Sequence, residues 1–197
     1  MTPSMDFRDL PTLFPKKHKL LAAILLLMEE AAKVGLKLSK GEIVKSLFLA
    51  DDRHLAQYGR PITFDNYVAM KNGPVGDLAS DMLNDRPNVR WSDFNLDRAP
   101  WSQEHLGDRT FYRSQCVTAD RRKLSPSDVD ALRAALDHVV TAGFLQISKE
   151  THTHPAWAAA WSAKADCERA AAMDWRDFPD VDAALASDLV MASWNAG

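Results

Sequence analysis

Cysteine is scarce in this chain, with only Cys116 and Cys167 among 197 residues. Two thiols make no disulfide framework, and a core of this size needs none, so both are read as reduced and intracellular. Long apolar runs are also lacking. The longest, residues 20–28, has nine members, far below the roughly 20 needed to span a bilayer. The residues before it do not read as a secretory leader. Asp6, Arg8, Asp9 and three prolines interrupt them, and no small-residue cleavage pattern follows Met28. The expectation is a cytoplasmic protein with no membrane partner. Charge of one sign is weak as well: the net charge is −3, which excludes a global basic field that would advertise nucleic acid. Reactive grammar is missing too. The chain has no glycine-rich phosphate loop, no Gly-x-Ser-x-Gly elbow, no Cys–His pair at a recognisable spacing and no zinc-ligand set. Catalysis, cofactors and metals are therefore not expected.

What is present suits a soluble globule. Apolar residues make up 46% and charged residues 26%, and a chain of this length buries about 70% of its unfolded surface. One domain, or one domain with an appendage, fits the length. Residues 1–99 hold 14 Lys and Arg against 13 Asp and Glu, whereas residues 100–197 hold 10 against 14. The acidic end repels phosphate and suits a basic protein partner, so nucleic acid is not the expected partner.

The chain divides into a proline-broken arm over residues 1–15, a main domain over 16–165 and an acidic helical extension over 166–197 packed on that domain. Leu20, Ile24, Leu27, Met28 and Ala31 recur at helical spacing and predict a helix over 16–34, stopped by Gly35. Ser39 with Glu42 is a capping-box pattern opening a second helix. Its buried side is traced by Ile43, Val44, Leu47, Phe48, Ala50, Leu55 and Tyr58, and Gly59 ends it. Pro61 forces Arg60 extended. Residues 62–70 read as a short strand or two, Asn72, Gly73 and Pro74 as a turn, and 75–83 as a third helix. Alternation over 89–94 and 110–117 predicts two antiparallel strands, with a long loop over 95–109. Ser125, Pro126 and Asp128 open a helix that ends at Gly143. Further helices are predicted over 144–150, from Pro155 through 165, and over 182–194. No internal repeat is found. The fold class is α+β: a mostly α-helical single domain with a small antiparallel sheet or hairpin.

Several polar groups invite sharper readings. Asp51, Asp52, Arg53 and His54 sit on the last two turns of the second helix. A carboxylate–His pair can serve acid–base or metal chemistry, but no third ligand or nucleophile follows at a matching spacing. A His near a helix C-terminus is favoured by the dipole alone, so structural or partner-contact roles are preferred. His152 and His154 flank Thr153, with Asp166 and Cys167 downstream, and read as a loop with capping contacts. Lys16, Lys17, His18 and Lys19 oppose the dipole of the first helix, so local stability does not explain them. They suit phosphate, an acidic protein surface or plain solvent. Arg121, Arg122 and Lys123 form a second basic run, and the two runs meeting on one face would favour nucleic acid. Six tryptophans are many for this length. Trp157 and Trp161 share a helix face, while Trp175 and Trp194 lie in the acidic end, where an interface role is expected.

Residues 47–75 carry a family pattern. A helix end reading L-A-D-x-x-H-L falls on residues 49–55, Y-G-R-P-I-T on 58–63, and D-x-Y-V-A-M-K-x-G-P-V on 65–75. In order, gaps and identities this resembles the Panacea domain, the family typified by SocA-like antitoxins of bacteria. His154, Pro155, Ala156 and Trp157 are similar to a later family element in which an acidic residue often precedes the proline. The similarity extends from the first helix to about Trp161. The resemblance implies an antitoxin that binds and neutralises a cognate toxin protein. In the SocA branch it implies further an adaptor that hands the toxin to the ClpXP protease, with the ClpX unfoldase as a second partner. The shared motif does not separate simple sequestration from delivery.

The motif is rich in residues that shape the backbone, namely Gly59, Pro61, Gly73 and Pro74, and poor in reactive ones. Asp51, Arg53, His54, Arg60, Asp65 and Lys71 would line a partner-binding surface with alternating charge, and Tyr58 and Tyr67 would add aromatic contact. Alternatively, these groups tie the second helix to the turn that follows it. Two other classes stay open. One is a DNA-binding autorepressor of its own operon, using the two basic runs. The other is an enzyme using the Asp51/His54 and His152/His154 groups.

Overall fold

The computed structural model describes residues 12–115 and 117–194. Most of the expected arm, and Cys116, therefore lie outside the described residues. The elements run α1 (Lys17–Lys33), β1 (Leu38–Ser39), α2 (Lys40–Tyr58), β2 (Tyr67–Met70), β3 (Gly73–Gly76), α3 (Asp77–Leu83), α4 (Pro87–Phe94), β4 (Trp101–Leu106), β5 (Arg109–Ser114), α5 (Pro126–Ala142), α6 (Phe144–His152), α7 (Pro155–Ala163), β6 (Ala170–Ala172) and α8 (Ala183–Trp194). Short 3-10 turns lie at Arg121–Lys123 and Trp175–Asp177. The mostly helical α+β class read from the sequence is the class observed. Among the described residues, no helix is long and apolar enough to cross a membrane.

Helix α2 is the axis of the core. Ile43 through Asp51 are all buried, as are His54 and Leu55. An amphipathic surface helix would bury one stripe; this one is wrapped by α1, α5, α3 and α6. Its start is fixed by a complete capping box between Ser39 and Glu42, worth about 1 kcal/mol. Ser125 and Asp128 form the same device at the start of α5. Tyr58 departs from the expected buried side. It is 51% exposed, although Leu55 in the same turn is buried, and its ring packs over His54 with centroids 4.5 Å apart.

Two three-stranded antiparallel sheets flank this helical core, in the orders β1-β5-β4 and β3-β2-β6. The second brings distant segments together: Val68, Ala69 and Met70 of β2 pair with Ala172, Ala171 and Ala170 of β6. Residues of the acidic end thus complete the sheet begun by the family motif. Trp175 is 2% exposed and packs on Tyr67 and Phe178. The expected interface role does not fit that burial, whereas Trp194 is 65% exposed.

Two expectations about strands are overturned. Residues 89–94 are not a strand but lie in helix α4, where Pro87 takes the first turn and presets the helical φ. The hairpin is β4–β5, closed at Leu106 and Arg109 around Gly107 and Asp108. Nearly half of the expected loop is therefore strand. Four of the six residues of β4 are exposed, so it lacks the apolar alternation by which strands are recognised. The turn expected at Asn72, Gly73 and Pro74 also shifts. Met70 pairs with Gly73, and Lys71 and Asn72 make the turn. Pro74 belongs to β3, an edge strand, where a missing N–H breaks no ladder.

Candidate functional site

Asp51 is the hub of the turn that follows α2. It is fully buried, yet its carboxylate accepts four hydrogen bonds. The Ile62 and Thr63 amides donate to Oδ1 at 2.8 and 3.0 Å. Tyr67 Oη donates to Oδ2 at 2.8 Å, and Thr63 Oγ1 donates to the same oxygen. A charge this deep is tolerable only when its lone pairs are filled. Burial pushes the Asp51 carboxyl up, against the pull of these donors. It also pushes the Tyr67 phenol well above its ordinary range, reinforced by the neighbouring Asp51 and Asp65 charges.

Asp65 does the same work one step later. Its two oxygens accept the Leu78 and Ala79 amides at 3.1 and 2.9 Å. These are orphan donors at the start of α3, whose own cap residue Gly76 offers no side chain. A Cβ on Gly76 would lie 2.5 Å from Asp65 Oδ2, so the close approach requires glycine. Burial pushes the Asp65 carboxyl up to about 7, although both amides hold it down. Between the two carboxylates, Phe64 takes φ 55°, a left-handed conformation that costs a buried aromatic residue about 1–3 kcal/mol. Bonds to Thr63 on one side and through Asp65 on the other hold it there.

The hairpin tip is fixed from three helices. Lys45 of α2 is 1% exposed, and its Nζ donates to the Pro74 carbonyl at 3.0 Å. Ser148 of α6 donates to the Asn72 carbonyl at 3.0 Å. Trp157 of α7 donates through Nε1 to the Met70 carbonyl at 3.1 Å. Gly73 has φ +99°, and a Cβ there would strike Lys45 Nζ and Thr151 Oγ1. Burial pushes the Lys45 ammonium down to about 7, and no carboxylate pairs with it among the described residues.

His54 is 1% exposed and does not meet Asp51. Its Nδ1 donates to the Arg60 carbonyl at 2.8 Å, and its Nε2 faces Ser127 Oγ at 3.1 Å and Asp128 Oδ1 at 3.2 Å. Arg60 reaches the same Asp128 at 3.0 Å, and Lys19 reaches its other oxygen at 2.6 Å. Burial pushes the Asp128 carboxyl up, but the Lys19 and Ser125 hydrogen bonds and the Lys19 and Arg60 charges outweigh it and hold it below the usual range.

The eight expected partner-binding residues thus separate into two sets. Asp51, His54, Asp65 and Tyr67 are buried and tie helix to turn. Arg53, Tyr58 and Lys71 stand at the surface, with Arg60 partly exposed. His152 and His154 do not converge with Asp166 and Cys167. His152 stacks on Trp157 with ring centroids 4.1 Å apart. His154 precedes α7 without capping it through its side chain, and its Nε2 meets Asp52 at 3.1 Å. Among the described residues, no three of His, Cys, Asp and Glu cluster as a metal set.

The family described as antitoxin SocA-like, Panacea domain, matches residues 43–158. The chain belongs to this family. No curated protein and no solved structure matches it. The Panacea match opens inside α2, just before Lys45, and closes just beyond Trp157. It therefore encloses every side chain that grips the hairpin tip. Sequence reasoning missed Lys45 and Ser148 as members of this arrangement, and read Asp128 only as a helix cap and not as the partner of His54, Arg60 and Lys19. A lysine amid the apolar residues Ile43, Val44 and Leu47 is the signal that marks Lys45. Ser148 carries no such signal.

Proposed function

We propose that this protein neutralises a cognate toxin protein by binding it, and that it breaks no chemical bond. The Panacea assignment makes a toxin the general class of partner. One observation supports action by grip: the buried ionisable side chains in and beside the motif are spent on the protein's own main chain. Asp51, Asp65 and Lys45 together hold Ile62, Thr63, Pro74, Leu78 and Ala79. What remains outside is the preorganised surface on which Arg53, Tyr58 and Lys71 stand exposed, and preorganisation strengthens binding by lowering the ordering cost.

The toxin is bound in the cytoplasm, either in a stable complex or as cargo for ClpXP. Co-expression with the product of the neighbouring gene, followed by capture on this protein, tests the reading. The expected result is a stoichiometric complex and restored growth. A folded protein that captures nothing while the toxin stays active rejects it. Delivery predicts a shorter toxin half-life only when this protein and ClpXP are both present. An unchanged half-life leaves sequestration.

A further inference from the structure

A cleft of about 660 Å³ opens at the start of α1, with Lys16, Lys17, Lys19, Arg60, Arg122 and Lys123 in its walls. The two basic runs of the sequence therefore meet on one face. No Asp or Glu lines the cleft, in a chain whose net charge is −3. Three carboxylates answer the six cations. Lys17 Nζ lies 2.7 Å from Asp93, Arg122 pairs with Asp120, and Lys19 and Arg60 share the buried Asp128. Lys16 gives its ammonium to the Ala192 and Ser193 carbonyls at 2.9 and 2.8 Å. The Lys123 amide donates to the Asp120 carbonyl at 3.0 Å, but its ammonium has no hydrogen-bond or ion-pair partner among the described residues. Local stability does not account for this cluster, because the first turn of α1 holds no acidic residue and lysines there oppose the dipole. Burial and the nearby Lys19 charge push the Lys16 ammonium below its ordinary value.

Aromatic surface adjoins the charge. Phe14, beside the wall residue Pro15, packs edge-on against Trp194 with ring centroids 4.3 Å apart. The two are 47% and 65% exposed. Phe64, itself buried, backs the cleft wall, with Lys16 Nζ 5.2 Å from its ring centre. Cations that follow a phosphate backbone, next to exposed rings on which bases stack, are the recurring means of holding single strands. An acidic polypeptide would use the charge, but its carboxylate side chains offer no aromatic faces to stack on the rings. A duplex hides its base faces.

We propose that this cleft binds single-stranded nucleic acid, its lysines and arginines holding backbone phosphates and Trp194 stacking on an unpaired base. This activity stands apart from toxin binding. Of the expected partner-binding residues, only Arg60 lines the cleft.

The test is fluorescence anisotropy of the full chain, without toxin, on a labelled mixed-sequence strand of about 12 nucleotides, a size within the usual site range. Binding is expected at about 50 mM salt, with log affinity falling by about 2 per decade of salt, roughly 0.7 for each of three phosphates. Arg122→Glu with Lys123→Glu reverses two exposed charges and should weaken binding at least tenfold with an unchanged melting temperature. Trp194→Ala should weaken it about tenfold with the salt slope unchanged. The proposal is overturned if the strand does not bind at about 50 mM salt or if the double reversal has no effect. It is also overturned if Trp194→Ala binds as well as the parent, if polyglutamate binds as tightly as the strand, or if a duplex of equal length binds more tightly.

Discussion

Lys45 and Pro74 are joined by a 3.0 Å hydrogen bond from a buried ammonium to a main-chain carbonyl. The bond ties the central helix to the edge strand of the motif hairpin. It also places an unpaired cation in the core, with consequences for stability and pH. Burial lowers the Lys45 ammonium from its ordinary 10.5 to about 7, while the unfolded chain keeps the ordinary value. Between these values the unfolded state binds the extra proton, so stability rises with pH. Asp65 behaves inversely. Its carboxyl is raised from 3.8 to about 7, the folded state holds the extra proton between these values, and stability falls as pH rises. The two groups together contribute a stability minimum near pH 7. Urea unfolding across pH 4–10 should show Lys45→Met flattening the alkaline arm and Asp65→Asn the acid arm. An alkaline arm unchanged by Lys45→Met would contradict the assignment.

Asp51 holds four donors, so its loss leaves all four buried and unpaired. Asp51→Ala is expected to cost about 3–5 kcal/mol, and Tyr67→Phe, which removes one of them, about 1–2 kcal/mol. Equilibrium denaturation reads both. Equal costs would show that Asp51 acts through Tyr67 alone.

Gly59 and Gly73 both have positive φ, at 68° and 99°, but their surroundings differ. A Cβ on Gly59 meets nothing within 4 Å, so Gly59→Ala should cost only the backbone term, about 1 kcal/mol. At Gly73 a Cβ meets Lys45 and Thr151. Gly73→Ala should therefore cost more than about 2 kcal/mol, and Lys45→Met should partly relieve it. Additive effects of the two substitutions would show that no collision occurs.

Arg53, Tyr58 and Lys71 are exposed, and among the described residues their side chains enter no hydrogen bond or ion pair; the Tyr58 ring packs on His54 with centroids 4.5 Å apart. Changing each to alanine should leave the melting temperature within about 2 °C, because such surface changes stay within about 0.5 kcal/mol. At least one should weaken toxin capture tenfold or more, as loss of an interface anchor does. Wild-type neutralisation by all three variants would move the binding surface elsewhere.

Local rules made much of the chain legible. The Ser39 and Ser125 capping boxes, the stop at Gly59 and the apolar stripe of α1 depend on neighbours within a turn or two, and each stands where the residues placed it. The family motif was equally legible as a run of identities. Local rules failed where the deciding force was distant or side chains were mute. Strand β4 is mostly exposed and shows no alternation. Residues 89–94 alternate, yet Pro87 starts them as a helix.

By itself the sequence determined the helical α+β class, the ends of its main helices and the family. Short-range hydrogen bonds and apolar periodicity are written in adjacent residues. Only the tertiary structure decided which motif residues are scaffold and which are surface. Burial is a property of the packed whole: Asp51 and Arg53 are two positions apart, one inside and one outside. It alone joined Lys16 and Lys17 to Arg122 and Lys123 across one cleft, because charge adds up in space and not along the chain.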